Sequence, residues 1–377
     1  CQQALRVRCA DGPDEGDFDP QLIAERNTIA LSGGSDFLSS APCLGVGLQF
    51  VGRVDGQQVV GNAIEIGSQF ALASGMLIRA ETSTDEPESG DEIVVLGNRI
   101  SALGANDDPL CVAFNDDTEL LPFGSGVVGV GFDGTTRARI ADNFVRVGGE
   151  EVTDVLNDVT AFGMSLTQAI LPESENLLAE RNEVRMGTGA LRSVALTTDT
   201  SRIALTNNLL YGGDTPDTTG LLVGAEANAE TPDESQFPLV LFNSISGGGI
   251  LGATSVSRAI ELDSDRVVPP TIVGSFVGNA LDAGRALGRR FVIENQRFVD
   301  SETEAFRANS INVGFSVGDP RPNLGQFSGD TESKSRPLTA FATYVGDFEE
   351  LQWQTITELG ERLAIEPGDD GLSFADE

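Results

Sequence analysis

The chain has no histidine, a single lysine (Lys334), one tryptophan and two tyrosines. Without imidazole there is no Ser–His or Cys–His nucleophile pair, no histidine general base and no histidine-held zinc or haem. Basic residues are scarce: 24 of them against 58 acidic ones leave a net charge of −34. Such a surface repels phosphate backbones and anionic lipid, which removes nucleic acid and a bilayer surface as partners. No apolar run reaches the roughly 18–20 residues that a membrane-spanning helix needs. Phe (20) far outnumbers Tyr and Trp. Phe fills dry interiors while Tyr and Trp favour wet binding surfaces, so an aromatic sugar-binding platform is disfavoured.

What is present is enough for a large core, since 40% of the 377 residues are hydrophobic. The four cysteines, Cys1, Cys9, Cys43 and Cys111, all lie in the first third and form no CxxC pair. Metal and redox roles are thereby disfavoured. An even count permits two disulfides in one of three connectivities. The preferred set is Cys1–Cys9 with Cys43–Cys111, which implies an oxidising compartment. A chain beginning at Cys also resembles a mature bacterial lipoprotein, whose terminal thiol carries lipid. That role for Cys1 competes with the Cys1–Cys9 bridge, because one sulfur cannot do both.

The dominant feature is an internal repeat. It is marked by nine asparagines: Asn27, Asn62, Asn98, Asn143, Asn182, Asn208, Asn243, Asn279 and Asn309. Three residues before each stands an apolar residue (Ala24, Val59, Val95, Ile140, Ala179, Leu205, Val240, Phe276, Phe306). Two residues after each stands another (Ile29, Ile64, Ile100, Val145, Val184, Leu210, Ile245, Leu281, Ile311). A glycine follows four to six residues beyond each Asn, and the commonest spacing between asparagines is about 35 residues. Apolar-x-x-Asn-x-apolar reads as two alternating strands flanking a bend at the Asn, a residue that tolerates the left-handed region and bonds local backbone. The glycine permits the next turn. Another strand-like segment follows, as in 190–199, 257–263 and 110–116. Segments 46–50 and 127–130 read as strand interiors with glycines at tight bends.

A unit made only of strand and turn cannot bury its own apolar face. Stacking on like neighbours at about 4.8 Å per layer can. Equivalent asparagines then form a ladder inside the corner, each amide bonding those above and below. A leucine-rich horseshoe needs a shorter period dense in Leu, and a propeller needs a four-stranded blade signature; neither pattern is present.

With those asparagines in frame, the chain resembles the right-handed parallel β-helix (pectate-lyase-like) superfamily over about residues 20–315. The resemblance implies an all-β solenoid of about eight to ten coils over residues 21–315. An N-terminal cap would occupy 1–20, and a small C-terminal cap or assembly segment 316–377. In that last segment 338–345 reads as a strand. A helix would follow, with Asp347 at its N-cap, Glu350 three residues on and Gly360 as its stop. Trp353 would dock on the solenoid end or on a neighbouring subunit.

For function the resemblance is broad, since that superfamily includes lyases, hydrolases, adhesins and inert surface proteins. Its lyases use Lys or Arg together with calcium, yet Lys334 lies beyond the repeats. Arg181, Arg185, Arg289 and Arg290 are the remaining basic spots. Its hydrolases use clustered aspartates and a histidine. The paired acids Asp107–Asp108 and Asp116–Asp117 lack the surrounding motifs, so no catalytic residue is assigned and an enzyme is not the favoured reading. Acidic segments precede the ladder strands at 14–19, 81–92, 173–175, 199–201, 226–234, 263–265 and 300–304. They would form a negative stripe along one edge, which either stays solvated or offers oxygen ligands to calcium; no other cofactor is implied.

The expectation is a non-catalytic extracellular or bacterial cell-surface rod, structural or adhesive, self-associating into a filament or layer and lipid-anchored if Cys1 is acylated. The alternative is a polysaccharide lyase, hydrolase or carbohydrate-binding solenoid.

Overall fold

The computed structural model describes residues 2–8, 23–31, 44–52, 57–67, 72–80, 92–103, 126–134, 137–148, 160–167, 177–188, 190–198, 203–224, 238–262, 271–272, 276–286, 289–295, 299–300, 306–307, 310–312 and 326–328. Among them there is no helix, and the strands fall into three long parallel sheets of ten, nine and nine strands. The chain visits the sheets in a fixed order. A short strand of the second sheet is followed by a corner at the Asn, a short strand of the third sheet and a longer strand of the first. One such coil runs through Ala138–Ala141, Phe144–Val147 and Thr160–Thr167. Each of its strands pairs in parallel with its counterparts one coil before and one coil after, and the same pairing runs along each sheet. The architecture is therefore an all-β parallel solenoid. A two-stranded parallel pair, Thr271–Ile272 with Val299–Asp300, lies outside the three sheets.

The period-two alternation of apolar residues fills the interior. In the coil just described Ala138, Ile140, Val145, Val147, Ala161, Met164 and Leu166 all belong to one buried cluster that runs from coil to coil. The apolar residues three before and two after each asparagine point into it, from Ala24 and Ile64 through Phe276 and Leu281. β-branched residues suit these half-buried pleats.

The corner between the second and third sheets repeats with one geometry. The residue immediately before each described Asn has a positive φ: Arg26, Gly61, Gly97, Asp142, Arg181, Asn207, Phe242 and Gly278, between 51° and 67°. The left-handed residue is thus one place earlier than the sequence pattern suggested, and the Asn turns its side chain inward instead. Backbone pairing continues through the corner, for example Gly97 N–H to Ala141 C=O at 3.0 Å and Phe144 N–H to Asn98 C=O at 2.8 Å. From Arg26 to Phe242 the left-handed residue's N–H is paired in this way with the backbone of the next coil.

Candidate functional site

Eight amides, from Asn27 to Asn279, stand in one column joined by hydrogen bonds. At each step the Oδ1 of one asparagine accepts from both the backbone N–H and the Nδ2 of the asparagine in the preceding coil. At Asn98 and Asn143 both distances are 2.9 Å. The second Nδ2 proton goes to a carbonyl of the preceding coil, as from Asn143 to Val95 at 3.0 Å. An amide has two donors and an acceptor with two lone pairs, so each interior member is saturated. The column is structural: from Asn62 to Asn279 it is buried and without a reactive group to spare. Asn309 lies outside the described residues.

A second stacked corner joins the third sheet to the long sheet in the later coils. Gly213, Gly248 and Gly284 have positive φ. A Cβ on Gly248 would stand 2.2 Å from the Gly213 carbonyl oxygen, and one on Gly284 equally close to that of Gly248. Polar side chains gather around this glycine turn. Tyr211 donates to Asp214 at 2.7 Å, and Arg285 pairs with the same carboxylate and donates to Gly249 C=O at 2.9 Å. Burial, then the hydrogen bond to Asp214, push the Tyr211 hydroxyl up to about 12. It is a fixed donor at neutral pH and no general base.

Two ion networks lie on outward faces, each built around a buried glutamate, Glu261 or Glu180. Arg258 pairs with Asp217 and Glu294, and its Nε is 3.7 Å from Glu261. Glu261 also accepts from Arg192 and from Thr219, each at 2.8 Å. Side-chain exposure is 8% for Arg258 and 2% for Glu261. No substrate-sized group reaches carboxylates so enclosed. In the other network Glu180 holds Arg139 and Arg181, and Arg181 spans Asp142 with a bidentate pair at 2.8 and 2.9 Å. That pair holds the Asp142 carboxyl below its usual value. Both networks pin neighbouring coils together.

The three outer faces differ. On the long sheet the outward Val46, Ser74, Val128, Val194 and Thr219 are buried. On the second sheet Leu178, Glu180, Ala204, Thr206 and Leu241 are outward and also buried. Among the described side chains of the third sheet no outward one is buried, and the strands alternate cleanly, as in Ala63–Ile66 and Glu183–Met186. This open face is the candidate site. Its outward columns bring together Arg99, Phe144, Arg146, Arg185, Leu209 and Tyr211 on four successive coils. Arg99 lies over the Phe144 ring at 5.4 Å. Arg146 and Arg185 are direct register partners, and Arg185, with 57% of its side chain exposed, pairs with Glu183 at 2.5 Å.

Of the basic spots singled out in the sequence, Arg185 is on this face and Arg181 at the neighbouring corner. Arg289 and Arg290 are on the long sheet, far along the rod in Arg289–Asn295. Arg99 and Arg146 were not singled out; their signal was an odd offset from their asparagines, one residue after Asn98 and three after Asn143, which places both on the outward side of the strand. Gly247, Gly248 and Gly249 belong to the stacked turn. Cys1, Cys9, Cys43, Cys111, the paired acids at 107–108 and 116–117, Lys334, the segment 110–116, most of the acidic segments and the C-terminal cap with its helix and Trp353 lie outside the described residues. The long-sheet strand of the Asn98 coil is Gly126–Gly134. Among the described residues no three acidic side chains converge on one metal position. No described helix is long and apolar enough to cross a membrane.

No protein-family model matches the chain, no curated protein matches it, and no solved structure does.

Proposed function

We propose that this chain is a non-catalytic rod of the right-handed, pectate-lyase-like β-helix type, working outside the cell or on a bacterial surface as a structural or adhesive element that self-associates. The carrying observation is the amide column, unbroken from Asn27 to Asn279. It supports a body whose repeated interior serves rigidity, with Glu261 and Glu180 of its described ion networks buried against their arginines. A two-to-one excess of acid over base adds a surface that stays soluble and selects oppositely charged contacts. An oxidising compartment would suit the disulfides Cys1–Cys9 and Cys43–Cys111. Calcium held by the acidic segments would stiffen one edge or bridge neighbouring rods.

Electron microscopy and sedimentation of the purified chain test this reading, with and without a chelator. Nine coils at about 4.8 Å each give a body about 43 Å long. Rods of that length, or filaments built from them, are expected, together with no loss of viscosity when acidic or neutral polysaccharides are incubated with the protein. Depolymerisation of any such polymer would replace the rod with an enzyme. A second reading, a carbohydrate-binding solenoid, is favoured by the open arginine-bearing face of the third sheet.

A further inference from the structure

Four large hydrophobic side chains are exposed among the described residues: Ile23, Leu191, Leu209 and Leu251. Single leucines on a surface are ordinary. Here the three leucines fall on successive coils, those of Asn182, Asn208 and Asn243, on the third sheet and the corner that leads from it into the long sheet. Leu191 and Pro216 stand in register at that corner: Asp217 N–H donates to Leu191 C=O at 3.2 Å, and Val256 N–H to Pro216 C=O at 2.8 Å. In the next coil the connection grows from five residues, as in 187–191 and 212–216, to nine, 247–255. The longer turn presents Leu251, which is 71% exposed. The turn is held in place. Gly252 N–H donates to Ile250 C=O at 2.9 Å and Ser255 N–H to Gly252 C=O at 3.1 Å, while the Ser255 hydroxyl reaches the same two carbonyls at 2.9 and 2.5 Å. Arg285 ties its base to the neighbouring coils through Gly249 C=O and Asp214. An apolar side chain already fixed in this way loses little freedom when it is covered.

The same surface is electrically neutral. Residues 183–198, 209–223, 244–262 and 280–295 carry the third-sheet strand, the corner and the long-sheet strand of four successive coils. They hold six arginines and six acidic side chains, a net charge of zero on a chain of −34. Pairs such as Arg285–Asp214, Arg192–Glu261 and Arg185–Glu183 join them. The acidic segments 199–201, 226–234 and 263–265 follow the far ends of the long strands and lead away from this corner. Two copies of so acidic a chain repel each other, and a neutral, leucine-bearing stretch is where that repulsion is least.

We infer that this corner is the contact between two copies of the chain, packed side by side and antiparallel; the inference rests on the reading of the chain as self-associating and names the surface. Leu191 and Leu251 lie one coil to either side of Pro216, so a two-fold axis through the coil of Pro216 exchanges them. Leu251 of each copy then meets Leu191 of the other, with the two contacts about 10 Å apart along the rods, or two coil spacings. Leu209, on the third sheet of the middle coil, adds apolar surface beside the axis. Such a contact is isologous and closes on itself, so it gives paired rods and no filament through this surface.

Sedimentation equilibrium of the full chain at about 0.15 M salt, where charge is screened over about 8 Å, is the test. Paired rods are expected. Leu251→Glu should weaken pairing by about tenfold or more, through lost apolar burial and a charge brought into the contact. Ile23→Glu, the same kind of change in the first coil, should leave pairing within about twofold. Joining Leu191→Lys to Leu251→Glu should recover about threefold of the loss, because each glutamate then faces a lysine of the other copy. Joining Leu191→Glu instead should recover nothing. Circular dichroism should show every variant folded, since all three positions are exposed. Monomers at every concentration overturn the inference together with the self-association reading. Association that Leu251→Glu leaves unchanged, or that Ile23→Glu weakens equally, overturns the inference alone, as does a lysine double variant that regains nothing. Monomers that float with phosphatidylcholine vesicles, and cease to on Leu251→Glu, would give the leucines to a lipid surface and overturn it as well.

Discussion

At Asn143 four side-chain hydrogen bonds meet: Oδ1 receives two from Asn98, and Nδ2 gives one to Asn182 and one to Val95. Replacing it with alanine removes all of them and strands the Asn98 N–H and Nδ2 in a buried corner. A buried donor left without a partner costs about 1–3 kcal/mol, so Asn143→Ala should lose about 2–4 kcal/mol. Asn27 is exposed and gives a single side-chain bond, to Asn62. Asn27→Ala should therefore lose no more than about 1 kcal/mol. Urea midpoints of the two variants at equal slope check this, and equal losses would show that the column adds nothing beyond ordinary corner chemistry. The residue ahead of the Asn was not legible in the sequence, for a physical reason. The left-handed backbone there costs a non-glycine residue about 1–2 kcal/mol, yet the ladder over-determines the corner. Arg26, Asp142, Arg181, Asn207 and Phe242 all accept the strain beside Gly61, Gly97 and Gly278. A site whose geometry is imposed by its neighbours leaves no residue signature of its own.

Between elements, one column of the long sheet couples to one column of the third. Gly47, Gly75, Gly129, Gly163 and Gly220 have ordinary backbone angles, so conformational freedom is not their reason. A Cβ on Gly129 would lie 2.3 Å from Val145 Cγ1 and 2.5 Å from the Gly163 carbonyl oxygen. The others would meet Ile64, Ile100, Val184 and Ile245 in the same way, at 2.2–2.6 Å. Where this column carries alanine instead, at Ala195 and Ala259, the third-sheet residue at the corresponding place is Leu210 and Leu281. Glycine opposite a β-branched side chain and alanine opposite leucine are alternative ways of filling one space. Gly129→Ala should lose about 1–3 kcal/mol by overpacking. Joining it to Val145→Leu should recover about 1 kcal/mol of that, an interaction energy that a double-mutant cycle reads directly. Strict additivity would mean that the carbonyl alone sets the penalty. The sequence showed glycines inside strands, as in 46–50 and 127–130, and the apolar residue two after each Asn. It did not show that they face each other, because the partner lies one coil away, across loops of variable length. For the same reason the shared face of Arg99, Arg146 and Arg185 was hidden until the register fixed each offset from its Asn.

Among the described residues each coil pairs its strands only with the coils next to it, and only long side chains such as Arg192 and Arg285 reach one coil farther, so stability is close to a sum of coil and interface contributions. The spacing between successive ladder residues varies from 26 to 45 while the hydrogen bonds between them stay near 2.9 Å. Loop length is thus spent outside the stack, which is why the period was readable and the loops were not. Electrostatics is the one contribution that does not stay between neighbours. The net charge of −34 is spread along the rod, and screening decides how many coils each charge feels. At about 0.01 M salt the screening length is about 30 Å, or about six coils on either side; at about 0.15 M it falls to about 8 Å, or about two. Self-repulsion of a compact acidic body opposes folding and association alike. Raising salt across that range should raise the melting temperature and promote rod-to-rod contact, whereas a fold held mainly by exposed ion pairs would be weakened by it. The buried Arg258–Glu261 pair is shielded from this effect and should hold at either salt concentration, whereas Glu180 is buried against half-exposed Arg139 and Arg181 and is shielded less. Calorimetry with parallel scattering checks both quantities, and a melting temperature that falls with salt would mean that surface pairing, and not the amide column with its apolar interior, holds the coils together.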